Sequence, residues 1–299
     1  MKLTRPSDVR TILGELGMRP SRYLGQNFLC DENILGIILR SAGLEPGDTV
    51  LEIGPGLGVL TEPMLEAAYR VIAIEKDAAL CSYLRSRFID ARNFELLEGD
   101  ALDYDLESLL KRGISKIVAN LPYSVGSRLL VEVTEFAARP ETMILMLQLD
   151  VARRLCAKPG TRDYGLLTIR IQLDYEIELT KTVNRTCFHP PPDVRSAILT
   201  FRRREEPVAQ VSDRDFMYLL LKLCFSRRRK QVGHILRSMS NDLCIRPADI
   251  QSALDAESIS PEKRPEDISI SSWAGLANRL SPHNRHSEKG EWETRQNRM

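Results

Sequence analysis

The feature that most constrains this chain is a recurring pattern of a short apolar run, a hydrogen-bonding or glycine residue at its end, and then a helix-like stretch. Thr49-Val50-Leu51-Glu52-Ile53 runs into Gly54-Pro55-Gly56-Leu57-Gly58. The run over 71–74 ends on Glu75, that over 94–97 is followed by Asp100, and Ile117-Val118-Ala119 ends on Asn120. Apolar runs of this length alternating with helical periodicity predict parallel strands joined by helical crossovers. In such a sheet, residues that follow the strands gather along the carboxyl edge, where ligands bind. Gly54, Glu75, Asp100 and Asn120 are therefore expected to converge.

Each of these positions carries a chemistry. A glycine turn between strand and helix lets the backbone approach a ligand closely. A carboxylate after the second strand suits a ribose diol. The glycine spacing is G-x-G-x-G and not G-x-G-x-x-G, so the pair points to an adenosine-containing cofactor without fixing which one. Asp100 suits an adenine amino group, or equally a helix N-cap. In Asn120-Leu121-Pro122-Tyr123 the amide oxygen and a carbonyl at Leu121 or Pro122 can accept from an exocyclic amine, and Tyr123 offers a flat face to a base. Pro122 fixes its own φ and biases Leu121 towards extended backbone. The plainer reading of those four residues is a strand followed by a turn.

Around this centre the chain reads as follows. Ser7 or Asp8 caps a short helix with Val9, Ile12, Leu13 and Leu16 on one face, and Gly17 stops it. The stretch 22–29 is either a linker with two anchoring hydrophobes or a flap whose Gln26 and Asn27 bond a ligand. Helices are expected over 60–68, 77–88, 106–110, 125–137 and 151–157, and strands over 143–148, 175–183 and 197–201. The segment 158–165 reads as a polar loop, and 188–194 as a stiff proline-rich loop. A composition break at 202–207 opens a small helical domain, in which an apolar helix over 216–225 leads into Arg227, Arg228, Arg229 and Lys230. That basic run is either a solvated face or a phosphate-binding patch. After Ser281 the polar composition predicts a disordered tail.

Net charge is +1 over 299 residues, so any nucleic-acid site must come from local clustering of cations. The six cysteines are scattered without a C-x-x-C pair, which argues against zinc-ribbon and disulfide frameworks and for a reducing compartment. The sequence shows neither a signal-peptide core nor a bilayer-length apolar run. A cytoplasmic location is expected.

Together, Leu24-Gly25-Gln26-Asn27-Phe28-Leu29, Glu52-Ile53-Gly54-Pro55-Gly56, Asn120-Leu121-Pro122-Tyr123, Phe188-x-Pro-x-Pro-x-Val194 and Phe225-Ser-x-Arg-Arg-x-Lys230 resemble the KsgA family of small-subunit rRNA adenine dimethyltransferases. The Arg264-Pro265-Glu266 segment is similar to that family too. The resemblance implies an α/β fold: a Rossmann-like S-adenosylmethionine-dependent methyltransferase domain with a small C-terminal helical domain. The expected division is an N-terminal helix and cofactor flap over 1–30, the methyltransferase domain over 31–204, an RNA-docking domain over 205–280 and a tail over 281–299. It implies N6,N6-dimethylation of two adjacent adenosines in the 3′-terminal hairpin loop of 16S rRNA, in the small subunit or its precursor. Carried over by position, Asn27, Leu29, Gly54, Glu75, Asp100 and Asn120 hold the cofactor. Asn120, Leu121, Pro122 and Tyr123 hold the target base, and Arg227, Arg228, Arg229 and Lys230 the RNA backbone. A monomer acting without metal or membrane is expected. The family often has Asp where this chain has Arg195. A 23S rRNA methyltransferase, a DNA adenine methyltransferase and a non-catalytic ribosome-assembly factor are the rival readings.

Overall fold

The computed structural model describes residues 1–21, 25–121, 126–243 and 245–281. The strands are β1 (Phe28–Leu29), β2 (Thr49–Ile53), β3 (Arg70–Glu75), β4 (Phe94–Glu98), β5 (Lys116–Asn120), β6 (Thr142–Gln148), β7 (Tyr175–Val183), β8 (Phe188–His189) and β9 (Ser196–Arg203). The helices are α1 (Pro6–Glu15), α2 (Glu32–Ala42), α3 (Thr61–Ala67), α4 (Ala78–Arg87), α5 (Leu106–Leu110), α6 (Gly126–Glu135), α7 (Leu149–Leu155), α8 (Leu166–Gln172), α9 (Arg214–Ser226), α10 (Val232–Ser238), α11 (Pro247–Ala256) and α12 (Ile270–Leu280).

The chain forms two compact units. Of the described residues, one contains those within Met1–Cys156 and Tyr175–Arg204; the other contains Ala157–Asp174 and those from Glu205 to Ser281. The first is built on a seven-stranded sheet of order β4-β3-β2-β5-β6-β9-β7. The first five of these strands run parallel, while β9 is antiparallel to both β6 and β7. The parallel strands are mainly apolar because helices cover them: Ile34 and Ile38 of α2 and Met64 of α3 share a buried cluster with Val50, Val71, Val118 and Ile144. Short acidic side chains start α2, α4 and α5. Asp31 accepts from the Ile34 amide, Asp77 from Ala79 and Leu80, and Asp105 from Ser108, each satisfying a first-turn N–H that has no helical partner.

Three expectations need correction here. Helix α1 begins at Pro6, which suits a first helical position. Its N-cap, Arg5, makes no side-chain bond, and Asp8 instead accepts from the Lys2 amide. The stretch before α2 is not simply a linker, because β1 pairs with β8, which opens the proline-rich loop. The large domain is also not continuous over 31–204. Tyr164, Ile169 and Leu173 join the core of the second unit with Phe216, Leu220 and Trp273, so apolar burial draws 157–174 out of the sheet unit. That stretch includes α8, which the sequence pattern does not signal.

The second unit packs α8 to α12 around the fully buried Trp273. The Arg214 guanidinium makes a two-pronged bond to Asp174, at 2.6 and 2.7 Å. Arg170 lies 4.1 Å over the Tyr218 ring. Among the described residues no helix is long and apolar enough to cross a membrane.

Candidate active site

At the carboxyl edge of the sheet lies a cavity of about 340 Å3. Asn27, Leu29, Gly54, Glu75, Asp100 and Asn120 all line it. They come from β1 and its approach, the turn after β2, the end of β3, the turn after β4 and the end of β5.

The glycine turn is shaped by its backbone. Gly54 and Gly56 have φ of +70° and +60°, a region that side chains disfavour. A Cβ on Gly56 would stand 3.2 Å from the Phe28 ring. The turn is tied to the next strand: the Gly54 amide donates to the Ile74 carbonyl at 2.9 Å, and the Gly56 amide to Glu75 Oε2 at 3.1 Å.

Glu75 is 7 % exposed. Its Oε1 accepts from the Lys76 and Asp77 amides, both at 2.9 Å. Burial raises its pKa, and the three backbone N–H bonds work against that rise. A carboxylate offers roughly four acceptor sites, so Oε2 keeps one open. An open acceptor of this kind would suit a ribose hydroxyl.

Asp100 is an N-cap, one of its two expected readings, and it also lines the cavity. Its Oδ1 accepts from the Leu102 amide at 3.0 Å and caps the 3-10 turn Ala101–Asp103, while Oδ2 accepts from Lys76 Nζ at 2.7 Å. The Lys76 bond comes first among the causes that hold this carboxyl below its usual range. It remains an anionic acceptor on the cavity wall, as an adenine amino group requires.

Asn120 Nδ2 donates to the Asn27 carbonyl at 3.2 Å. That bond orients the amide and assigns the acceptor role to Oδ1. The Asn27 side chain donates to the Gly25 carbonyl at 3.1 Å. Leu121 is 2 % exposed, and its amide donates to Met146 in β6, which fixes the backbone leaving β5. Pro122 and Tyr123 lie outside the described residues.

Sequence reasoning missed Glu52 as a site residue. It lines the cavity at 1 % exposure and accepts from Thr61 Oγ1 at 2.6 Å. Burial pushes its carboxyl up to about 8; the Thr61 bond opposes the rise and the Glu75 charge adds to it. The available signal was an acid inside an otherwise apolar strand. Leu3 and Val9 also line the cavity and bring the N-terminal segment into its wall; nothing local in the sequence marks them. The wall combines carboxylates, amide groups and apolar side chains. That set suits a nucleoside with an amino-acid arm, and S-adenosylmethionine fits it.

The basic run lies in the second unit, and its members differ. Arg227 donates to Ser238 Oγ, and Arg228 to the Thr161 carbonyl with an ion pair to Glu266 at 3.4 Å. Arg229 and Lys230 are exposed beside a cleft that Gln231, His234, Glu262 and Arg264 also line.

Comparison with known proteins places the chain in a family. The family model for ribosomal RNA adenine dimethylase matches residues 19–281. A ribosomal RNA small subunit methyltransferase A from Opitutus terrae is 40% identical, covering 94% of this chain and 100% of the relative. One of the same name from Geobacillus thermodenitrificans is 35% identical, covering 94% of this chain and 97% of the relative. A dimethyladenosine transferase crystal structure from Plasmodium falciparum superposes with a TM-score of 0.73 at 27% identity, over 85% of this chain and 98% of that one. The 23S rRNA methyltransferase ErmE gives 0.65 at 28% identity, over 85% of this chain and 100% of that one. A family match over nearly the whole chain, with relatives aligned over almost their full length, makes this chain a member of the ribosomal RNA adenine dimethylase family.

Proposed function

We propose that this protein is an S-adenosylmethionine-dependent dimethyltransferase for small-subunit rRNA that places two methyl groups on N6 of each of two adjacent adenosines in the 3′-terminal hairpin loop. The observation that carries the reading is that six residues from five separate segments line one cavity at the sheet edge. The comparisons support the rRNA substrate. The small-subunit relatives, aligned over nearly their full length, favour this reading over a 23S target, as does the Arg264-Pro265-Glu266 segment.

When bound, S-adenosylmethionine supplies a methyl group on a sulfonium, which is open to direct attack. The residues of the chain have to position the base. Adenine N6 is a poor nucleophile because its lone pair is delocalised into the ring. Asn120 Oδ1 and the Leu121 or Pro122 carbonyl accept from N6–H, which favours a more tetrahedral nitrogen and turns its lone pair to the methyl. Tyr123 stacks on the extruded base. Positioning of this kind accounts for several kcal/mol of barrier, roughly 7–11 at best. No covalent nucleophile is required. Arg229 and Lys230 contact the RNA phosphates from the helical unit, with Arg227 and Arg228 beside them. The protein acts as a cytoplasmic monomer on the small subunit or its precursor.

Labelled methyl transfer to unmethylated small-subunit rRNA tests this, with primer extension to locate the product. Two methyls on N6 remove both N–H donors, so extension should stop at two adjacent positions. Asn120→Ala should abolish transfer while RNA is still bound. Stops confined to 23S rRNA, or full activity in Asn120→Ala, would overturn the reading.

A further inference from the structure

We infer that Gln26 is a positioning residue, not a ligand contact. Together with Asp77 it fastens the 25–29 segment against the cavity; the inference rests on that cavity being the methyl-donor site. Each end of the Gln26 amide is bonded within the protein. Its Oε1 accepts from the Ser21 amide at 2.7 Å, and its Nε2 donates to Asp77 Oδ2 at 2.8 Å. Asp77 in turn caps α4 through Oδ1, at 2.9 Å from the Ala79 amide and 3.2 Å from Leu80, and its own amide donates to Glu75 Oε1.

The bond therefore joins two walls of the cavity. Gly25 to Leu29 form one wall, and Glu75 forms another. Between them runs a single polar chain, from Gln26 through Asp77 to Glu75 and on to the Gly56 amide. A bond to a carboxylate is stronger than one between neutral groups. Phe28, two residues on, packs in one cluster with Val9, Ile12, Leu57 and Leu80, so apolar contact and the polar bond hold the segment in the same place. A segment ordered before the donor arrives spares the donor the cost of ordering it. Without the bond, apparent affinity falls by the fraction of protein in the competent arrangement. The chemistry after binding is left untouched.

Exchanging donor and acceptor tests this. Gln26→Glu sets two carboxylates against each other, and Asp77→Asn sets two amide N–H groups against each other if the α4 cap is kept. The double variant restores one donor facing one acceptor, reversed, while the Ser21 bond and the cap survive. In transfer to small-subunit rRNA, each single variant should raise the donor KM about ten- to a hundredfold, the worth of a hydrogen bond to a charged group. The kcat at saturating donor should change little, and the double variant should return KM close to wild type. Unchanged KM in the single variants, or a double variant as weak as the product of the two, would overturn the inference. If one single variant does not fold, the double variant against the other single still decides. Wild-type protein that transfers no methyl group would overturn the reading of the cavity, and this inference with it.

Discussion

Glu52→Gln should stabilise the protein increasingly as pH rises. In the folded chain the Glu52 carboxyl stands at about 8 against an ordinary 4.5, with burial the largest cause. Below about pH 4.5 both folded and unfolded chains hold the proton, so the group gives no pH dependence. Between 4.5 and 8 the unfolded chain ionises first and binds fewer protons, so stability falls as pH rises. Above 8 the folded chain ionises too, and the decline levels off. At 1.36 kcal/mol per pH unit the gap sets a ceiling of about 5 kcal/mol. An amide keeps an acceptor for the Thr61 hydroxyl and cannot ionise. Melting temperatures of wild type and Glu52→Gln, taken without cofactor at pH 5, 7 and 9, should therefore diverge. At about 2–4 °C per kcal/mol for a chain of this size, the divergence amounts to several degrees. A difference that stays constant with pH would refute the argument, because it would mean that Glu52 is ionised or solvated throughout.

Other perturbations follow from the same geometry. Glu75→Ala should weaken S-adenosylmethionine far more than RNA, by roughly 1.5–3 kcal/mol for each charge-assisted bond removed; calorimetry with an unchanged donor affinity would rule out its role at the ribose. Gly56→Ala forces a side chain into positive φ and against Phe28, and should cost about 1–2 kcal/mol of stability, read as a lower melting temperature; an unchanged melt would contradict the strain. Charge-neutral replacement of Arg229 and Lys230 should weaken RNA binding at every sequence and reduce the log–log salt slope by about 0.7–0.9 for each phosphate left without its cation, with normal stability and donor affinity. Arg228→Gln should instead lower stability, because it breaks the Glu266 pair and the bond to Thr161.

The sheet was legible because its strands are short, apolar and punctuated. β2 ends at Ile53, where the glycine turn begins, and α5 spans the expected 106–110. The gathering of Gly54, Glu75, Asp100 and Asn120 in one cavity follows from parallel crossovers alone. What escaped notice depends on tertiary packing. Leu166–Gln172 carries β-branched residues alternating with polar ones, yet it forms α8 because Thr168, Ile169 and Ile171 are buried on that helix. Gln26 could belong to a linker or to a ligand flap on sequence alone; its bond to Asp77, 51 residues away, is a tertiary contact that no local pattern shows. Glu52 is hidden inside an apolar strand, and only its burial shows that its charge is suppressed. Leu3 and Val9 reach the cavity because α1 packs on Phe28 and Leu80.

The pairing of β1 with β8 has a consequence for a chain emerging from the ribosome. All six predicted cofactor-contact positions are synthesised by residue 120, but β1 is two residues long and its partner, Phe188–His189, follows only after β7. The Cys30 amide likewise waits for the Cys187 carbonyl, which it meets at 2.7 Å. A nascent polypeptide halted after β6 thus possesses the glycine turn and its carboxylates while the strand beside them lacks its cross-strand partner. Closing so long a loop adds about 0.6 kcal/mol for each doubling of its length, since the entropy grows logarithmically. The delay is one of translation order: the residues lining the cavity are all made by Asn120, but β1 can pair only once the tunnel has released Phe188.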